Sequence, residues 1–104
     1  MSSNIDFVLY VCEQVPSTYE VRYKKMFGEY MVYINEKPIL LICDNMVYIK
    51  KLPEIAKLMQ RADCGIPYKG AKEHYILDFE NPELVENVVF ILEKVIPLPK
   101  RKTQ

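Results

Sequence analysis

Residues 22–51 read RYKKMFGEYMVYINEKPILLICDNMVYIKK: three apolar, Tyr-rich runs parted by two short polar breaks. Apolar and polar positions alternating with period two predict strands, and breaks this short predict an antiparallel meander. Residues 21–34 read as strand interrupted near Gly28, which either splits the run in two or curls one long strand. Asn35-Glu36-Lys37 makes the first turn, and Pro38 opens the next strand, where a missing amide hydrogen is tolerated. Asp44-Asn45 suits a two-residue type I′ loop, because both residue types accept positive φ. That loop sets a register in which Cys43 faces Met46, Leu41 faces Tyr48 and Ile39 faces Lys50, all six on one face of the sheet. Leu40, Ile42, Val47 and Ile49 occupy the opposite face, which is purely aliphatic and should meet the helices. An antiparallel sheet with helices on one side usually shows water a polar second side. This second side is apolar instead, so Ile39, Leu41, Met46, Tyr48 and Lys50 form the candidate interaction face, with Tyr48 as its anchor.

The flanking segments change period. Ser3-Asn4-Ile5-Asp6 has the form of a helix start, and Ile5, Val8, Leu9, Cys12 and Val15 follow at helical spacing until Pro16-Ser17. Leu52-Pro53-Glu54 opens a second predicted helix with Ile55, Leu58, Met59 and Ala62 inward and Gly65 as its stop. Residues 67–71 and 74–79 read as two further strands; in the second, Tyr75, Leu77 and Phe79 point one way and His74, Ile76 and Asp78 the other. Asn81-Pro82-Glu83 starts the last helix, whose stripe is Leu84, Val85, Val88, Val89, Leu92, Val95 and Ile96, and Pro97 halts it. The predicted order is α-β(3)-α-β(2)-α. It specifies an α+β, two-layer sandwich with a five-stranded antiparallel sheet.

With 104 residues, half of them hydrophobic, the chain reads as one domain over residues 1–104. It can build a core without metal or disulfide support. Residues 97–104 read as a basic tail. Acidic and basic residues number 14 each, so the basic excess usual in a phosphate-gripping protein is missing. Lys24, Lys25, Lys50 and Lys51 lie near Tyr23 and Tyr48, and Lys100, Arg101 and Lys102 end the chain. Weak nucleic-acid contact through these residues is the alternative reading; strand-edge lysines otherwise serve to discourage aggregation. The start MSSNIDFVLY is not a signal peptide, and no apolar run approaches the ~20 residues of a membrane span. A cytoplasmic location is expected.

The chemistry-bearing residues are scattered. Three cysteines with no C-x-x-C pair give no disulfide framework. Cys12 and Cys43 read as buried small hydrophobes, and Cys64, beside Gly65, as the thiol best placed for exposure. His74 is the only histidine and has no partners at zinc-ligand spacing. Glu29, Asp44 and Asp78 are isolated acids, and no glycine-rich nucleotide loop occurs. The expectation is a non-enzymatic module with no cofactor or metal.

Lys25-Met26-Phe27-Gly28, Tyr30 and Tyr33, then Leu40-Leu41-Ile42-Cys43-Asp44-Asn45 and Val47-Tyr48-Ile49-Lys50, resemble the N-terminal domain family of the bacterial competence regulator TfoX. Pro67-Tyr68, Tyr75 and the closing helix sit in comparable places, so the likeness spans nearly the whole chain. It implies a secretion-chaperone-like α-β(3)-α-β(2)-α domain and a regulatory role exercised by protein contact or self-association as a homodimer, with no catalytic residues to carry over. Relatives often have Asp-Gly at the first hairpin turn. Glu36 stands at the second position and resists positive φ, so a longer turn is expected there.

Overall fold

The meander closes through tight loops, and its arrangement is taken from a computed structural model that describes residues 4–26 and 28–99. Strands β1 (Val21–Met26), β2 (Glu29–Ile34), β3 (Lys37–Cys43) and β4 (Met46–Lys50) follow one another as antiparallel hairpins. Gly28, at φ 86°, splits the first run, so the meander has four strands where the pattern predicted three. Asp44 and Asn45 take φ of 52° and 58°, as a type I′ loop requires, and the predicted pairs Cys43–Met46 and Leu41–Tyr48 both form. Asn35 and Glu36 also take positive φ, 51° and 69°, so the first turn is a two-residue loop and not the longer one expected. Arg22 secures Glu36 there, reaching its carboxylate with Nε at 3.1 and 3.2 Å and Nη2 at 2.9 Å.

Around the meander lie helix α1 (Ile5–Gln14), a 3₁₀ turn (Pro53–Ile55), the short strands β5 (Cys64–Gly65) and β6 (His74–Ile76), and helix α2 (Pro82–Val95). Among the described residues the architecture is therefore α+β, with a six-stranded antiparallel sheet in the order β1-β2-β3-β4-β6-β5 and two α-helices. The second predicted helix, opened by Leu52-Pro53-Glu54, does not form beyond the 3₁₀ turn. Its start, Leu52, has no capping side chain, whereas Asn4 and Asn81 cap the two helices that do form. The segment winds irregularly, mixing i→i+3 and i→i+4 bonds (Ala56 N–H to the Pro53 carbonyl, Met59 N–H to the Ile55 carbonyl). It still delivers Ile55 and Met59 fully into the core. The predicted strand at 67–71 is likewise a loop; pairing with β6 falls to Cys64 and Gly65.

Both helices cover one side of the sheet. Val8, Val11 and Val15 of the first helical segment join Val85, Val88, Val89, Leu92 and Ile96 of the last in a single cluster with Val32, Ile34, Leu40, Ile42, Val47 and Ile49. The α1 stripe is rotated from the expected one. Val11 is buried, whereas Ile5 and Leu9 are exposed. Asn4 caps α1 by accepting from the Asp6 amide, and Asn81 caps α2 by accepting from the Leu84 amide, with Pro82 next to it. Lys37 closes the other end of α2. Its ammonium donates to the Glu93 carbonyl and pairs with the Glu93 carboxylate at 3.5 Å, placing a cation at the negative end of the helix. Ser3, Phe27 and the basic trio Lys100, Arg101 and Lys102 lie outside the described residues. No helix among the described residues is long and apolar enough to cross a membrane.

Candidate functional site

The outer face of the sheet, opposite the helices, carries one continuous cross-strand row: Lys24, Met31, Leu41, Tyr48 and Ile76, paired in that order from β1 to β6. Beside it runs Glu29, Cys43 and Met46, and at the far end Lys50 pairs with His74 and His74 with Gly65. Four of the five residues of the candidate interaction face therefore point outward as predicted. Ile39 does not. Val32 pairs with Leu40 and Tyr33 with Pro38, so Ile39 is the extra residue of a β-bulge. It joins the helix-side core, 4% exposed, and does not face Lys50.

The apolar centre of this face is covered, by a loop of the same chain and not by a helix. Residues 66–71 arch back across it between β5 and β6. Pro67 is buried, and its carbonyl accepts from the Cys43 thiol at 2.8 Å. Gly65 lies directly on the Tyr48 ring. A methyl group at that position would sit 3.2 Å from Tyr48 Cε2 and 3.4 Å from Ile76 Cδ1. Tyr48 and Leu41 are thereby reduced to 8% and 9% exposure. The Tyr48 hydroxyl turns toward Met46 Sδ at 3.7 Å, and burial pushes its phenol up in pKa. Burial also raises the Cys43 thiol, reinforced by the Glu29 and Asp44 carboxylates, so this cysteine is held as a neutral donor to Pro67. What remains open around the loop is Met46, Ile66 and Tyr68, at 47, 60 and 49% exposure.

The candidate reactive groups do not converge. Cys43 pairs with Met46 and His74 with Lys50, at opposite ends of β4, about 13 Å apart at the strand rise. His74 Nδ1 lies 2.7 Å from the Lys72 carbonyl; since that oxygen can only accept, Nδ1 carries the proton. Asp44 serves its turn, and Asp78 accepts from the Glu80 amide ahead of α2. Among the described residues no group of three or more His, Cys, Asp or Glu is placed to hold a metal ion. Cys64 is exposed, as its position predicted. The Lys51 ammonium beside it comes from 13 positions earlier, a neighbour that local sequence could not supply; its pKa is raised, first by the hydrogen bond to Glu73 and then by Cys64.

Two clefts border the outer face. The larger, 710 Å³, lies between α1 (Phe7, Tyr10), the β3–β4 loop and residues 58–63, with Arg61, Asp63, Asp78 and Glu80 among its walls. The smaller, 490 Å³, lies at the β4 end under the covering loop, lined by Lys50, Lys51, Leu52, Tyr68, Lys72, Glu73 and His74. Lys24 and Lys25 are three strands away on the β1 edge, so the basic residues of the alternative reading do not form one patch.

The chain is 28% identical over 102 residues to an uncharacterized 12.7 kDa protein in the trpE 5′ region of Spirochaeta aurantia, an alignment covering 96% of this chain and 89% of that protein. No family model matches the sequence, and no solved structure matches it significantly.

Proposed function

We propose that this protein is a non-enzymatic binding module that docks another protein, or a second copy of itself, on its outer sheet face. The observation that carries the reading is the make-up of that face. Met31, Leu41, Tyr48 and Ile76 form an apolar row with no helix over it. Its cover is a short loop whose exposed residues, Ile66 and Tyr68, are themselves apolar or amphipathic, and Met46 on β4 is exposed as well. Surfaces of this kind mark interaction sites. Because Tyr48 is already buried by the covering loop, the docking contacts fall to Met46, Ile66 and Tyr68, and a stable contact would cover about 600–1,000 Å² on each partner. The sequence motifs add the TfoX N-terminal domain family and its secretion-chaperone-like, two-layer fold to this reading, and with them a regulatory role.

Sedimentation velocity from about 10 to 200 µM tests self-association, and capture with tagged protein in the native host tests a foreign partner. The reading predicts that Met46→Lys and Ile66→Lys each abolish the association or remove the same captured species while leaving the fold intact by circular dichroism. A protein that stays monomeric across this range, with identical captured species for wild type and both variants, would remove the docking role.

A further inference from the structure

The 490 Å³ cleft at the β4 end has a chemistry that protein docking does not use. Three lysines line it, Lys50, Lys51 and Lys72, against one carboxylate, Glu73. Lys51 takes up that carboxylate at 2.7 Å and stacks over the Tyr75 ring at 5.3 Å. Among the described residues Lys50 and Lys72 have no ion-pair partner. They face a cleft within the roughly 300–1,000 Å³ range of small-molecule sites. Its wall also holds Tyr68, half exposed, and Leu52, partly buried, so an aromatic surface stands next to the two cations. His74 adds a ring whose Nδ1 is fixed by the Lys72 carbonyl, leaving Nε2 as its remaining polar atom. The Lys72 backbone that holds His74 also carries one of the two open ammonium groups.

We propose that this cleft binds a nucleotide, with Lys50 and Lys72 on its phosphates and Tyr68 stacked on its base. A phosphate needs uncompensated ammonium groups. A base needs an aromatic face, and stacking of this kind tolerates any base. The cleft offers both, Lys50 from β4 on one side and Tyr68 from the covering loop on the other. A lone phosphate or carboxylate would use the lysines and leave Tyr68 idle. The same chemistry is presented by a free nucleotide and by a unit of single-stranded nucleic acid. The inference shares Tyr68 with the docking reading and takes Lys50 from the candidate interaction face. Met46 and Ile66 lie outside the cleft, so Met46→Lys and Ile66→Lys leave nucleotide binding unchanged and separate the two.

Calorimetric titration at low salt with ATP, with inorganic tripolyphosphate and with an eight-residue oligothymidylate tests it. ATP should bind, and Lys50→Gln and Lys72→Gln should each weaken it about 5- to 10-fold. Tyr68→Ala should weaken ATP at least 5-fold and leave tripolyphosphate unchanged. Lys57→Gln, outside the cleft, should leave binding unchanged. Oligothymidylate binding tighter than ATP, with a steep salt dependence, assigns the site to a strand; ATP binding as tight or tighter assigns it to a free nucleotide. No binding of ATP or oligothymidylate would overturn the proposal. So would binding indifferent to Lys50, Lys72 and Tyr68, or an equal Tyr68→Ala loss for ATP and tripolyphosphate. The substitutions are at exposed positions, and unchanged urea midpoints establish that each variant is folded.

Discussion

Gly65→Val should unlatch the covering loop without unfolding the domain. Even the first carbon of a side chain at position 65 meets Tyr48 Cε2 at 3.2 Å and Ile76 Cδ1 at 3.4 Å, and valine adds two methyl groups to that contact. Overpacking of this size costs roughly 1–3 kcal/mol. Gly65 belongs to a two-residue edge strand, so the cheapest relief is for β5 and the loop to lift, not for the central ladder to break. The Cys43 thiol reports the lifting, because it is bonded to the Pro67 carbonyl and burial disfavours its thiolate. In a Cys12→Ala, Cys64→Ser background, Cys43 is the one thiol left for a disulfide reagent such as DTNB. If the 1–3 kcal/mol is spent on local opening, its labelling rate rises by about 5- to 150-fold. The urea midpoint should fall far less than that cost would imply for global unfolding. A labelling rate equal to that of the glycine parent, with the full cost appearing in the urea midpoint, would refute the account of the loop as a separable cover.

Lys37→Met should lower stability by about 1.5–3 kcal/mol in urea unfolding, the worth of a hydrogen bond to a charged group, because it strips the cation from the end of α2 at a site only 17% exposed; an unchanged midpoint would mean that the contact is idle. Asn45→Ala should cost about 2 kcal/mol, combining positive φ with loss of the Asn4 amide bond, whereas Asn45→Gly should cost about 1 kcal/mol less; equal costs would show that the backbone conformation is not what matters. Burial raises the Cys12 and Cys43 thiols in the folded state, so the unfolded chain loses these protons first. Their stabilisation is therefore complete below the ordinary thiol value of about 8.5 and fades as pH climbs through it toward the folded values. Urea midpoints should drop between pH 8 and 10, and drop less in Cys12→Ala and Cys43→Ala; identical slopes in these variants would assign the loss to other groups.

The meander was legible because its signals are local. Period-two alternation and Asp44-Asn45 determine strands and loop within a few residues, Gly28 marked a break without deciding between split and curl, and the register of Leu41 with Tyr48 follows from the loop alone. Asn81-Pro82 was equally local. The failures involve contacts that the local pattern does not encode. Glu36 accepts a strained φ beside Arg22, 14 positions earlier. The bulge that turns Ile39 inward is a property of the pairing with β2, not of the sequence PILLIC. Residues 53–62 have helical spacing, yet their task is to carry Ile55 and Met59 into the core and then reach β5, and packing overrides the spacing. The outer face was read as a docking face anchored by Tyr48, and nothing in Pro67-Tyr68 announces that the chain buries Leu41 and Tyr48 under its own loop. The basic cleft was missed for the same reason, since Lys50, Tyr68 and Lys72 meet only when β6 pairs with β4.

The two helices that shield the sheet come from opposite ends of the chain, α1 before the meander and α2 after it. During synthesis the hairpins can zip as soon as they leave the ribosome, each with its nearest neighbour in sequence. α1 can shield part of their aliphatic side, and the rest stays wet until residues 82–96 emerge to cover it. A nascent chain paused before that point presents bare ribbon to its neighbours, so truncation near the C-terminus should be far more damaging to yield than its small loss of mass suggests.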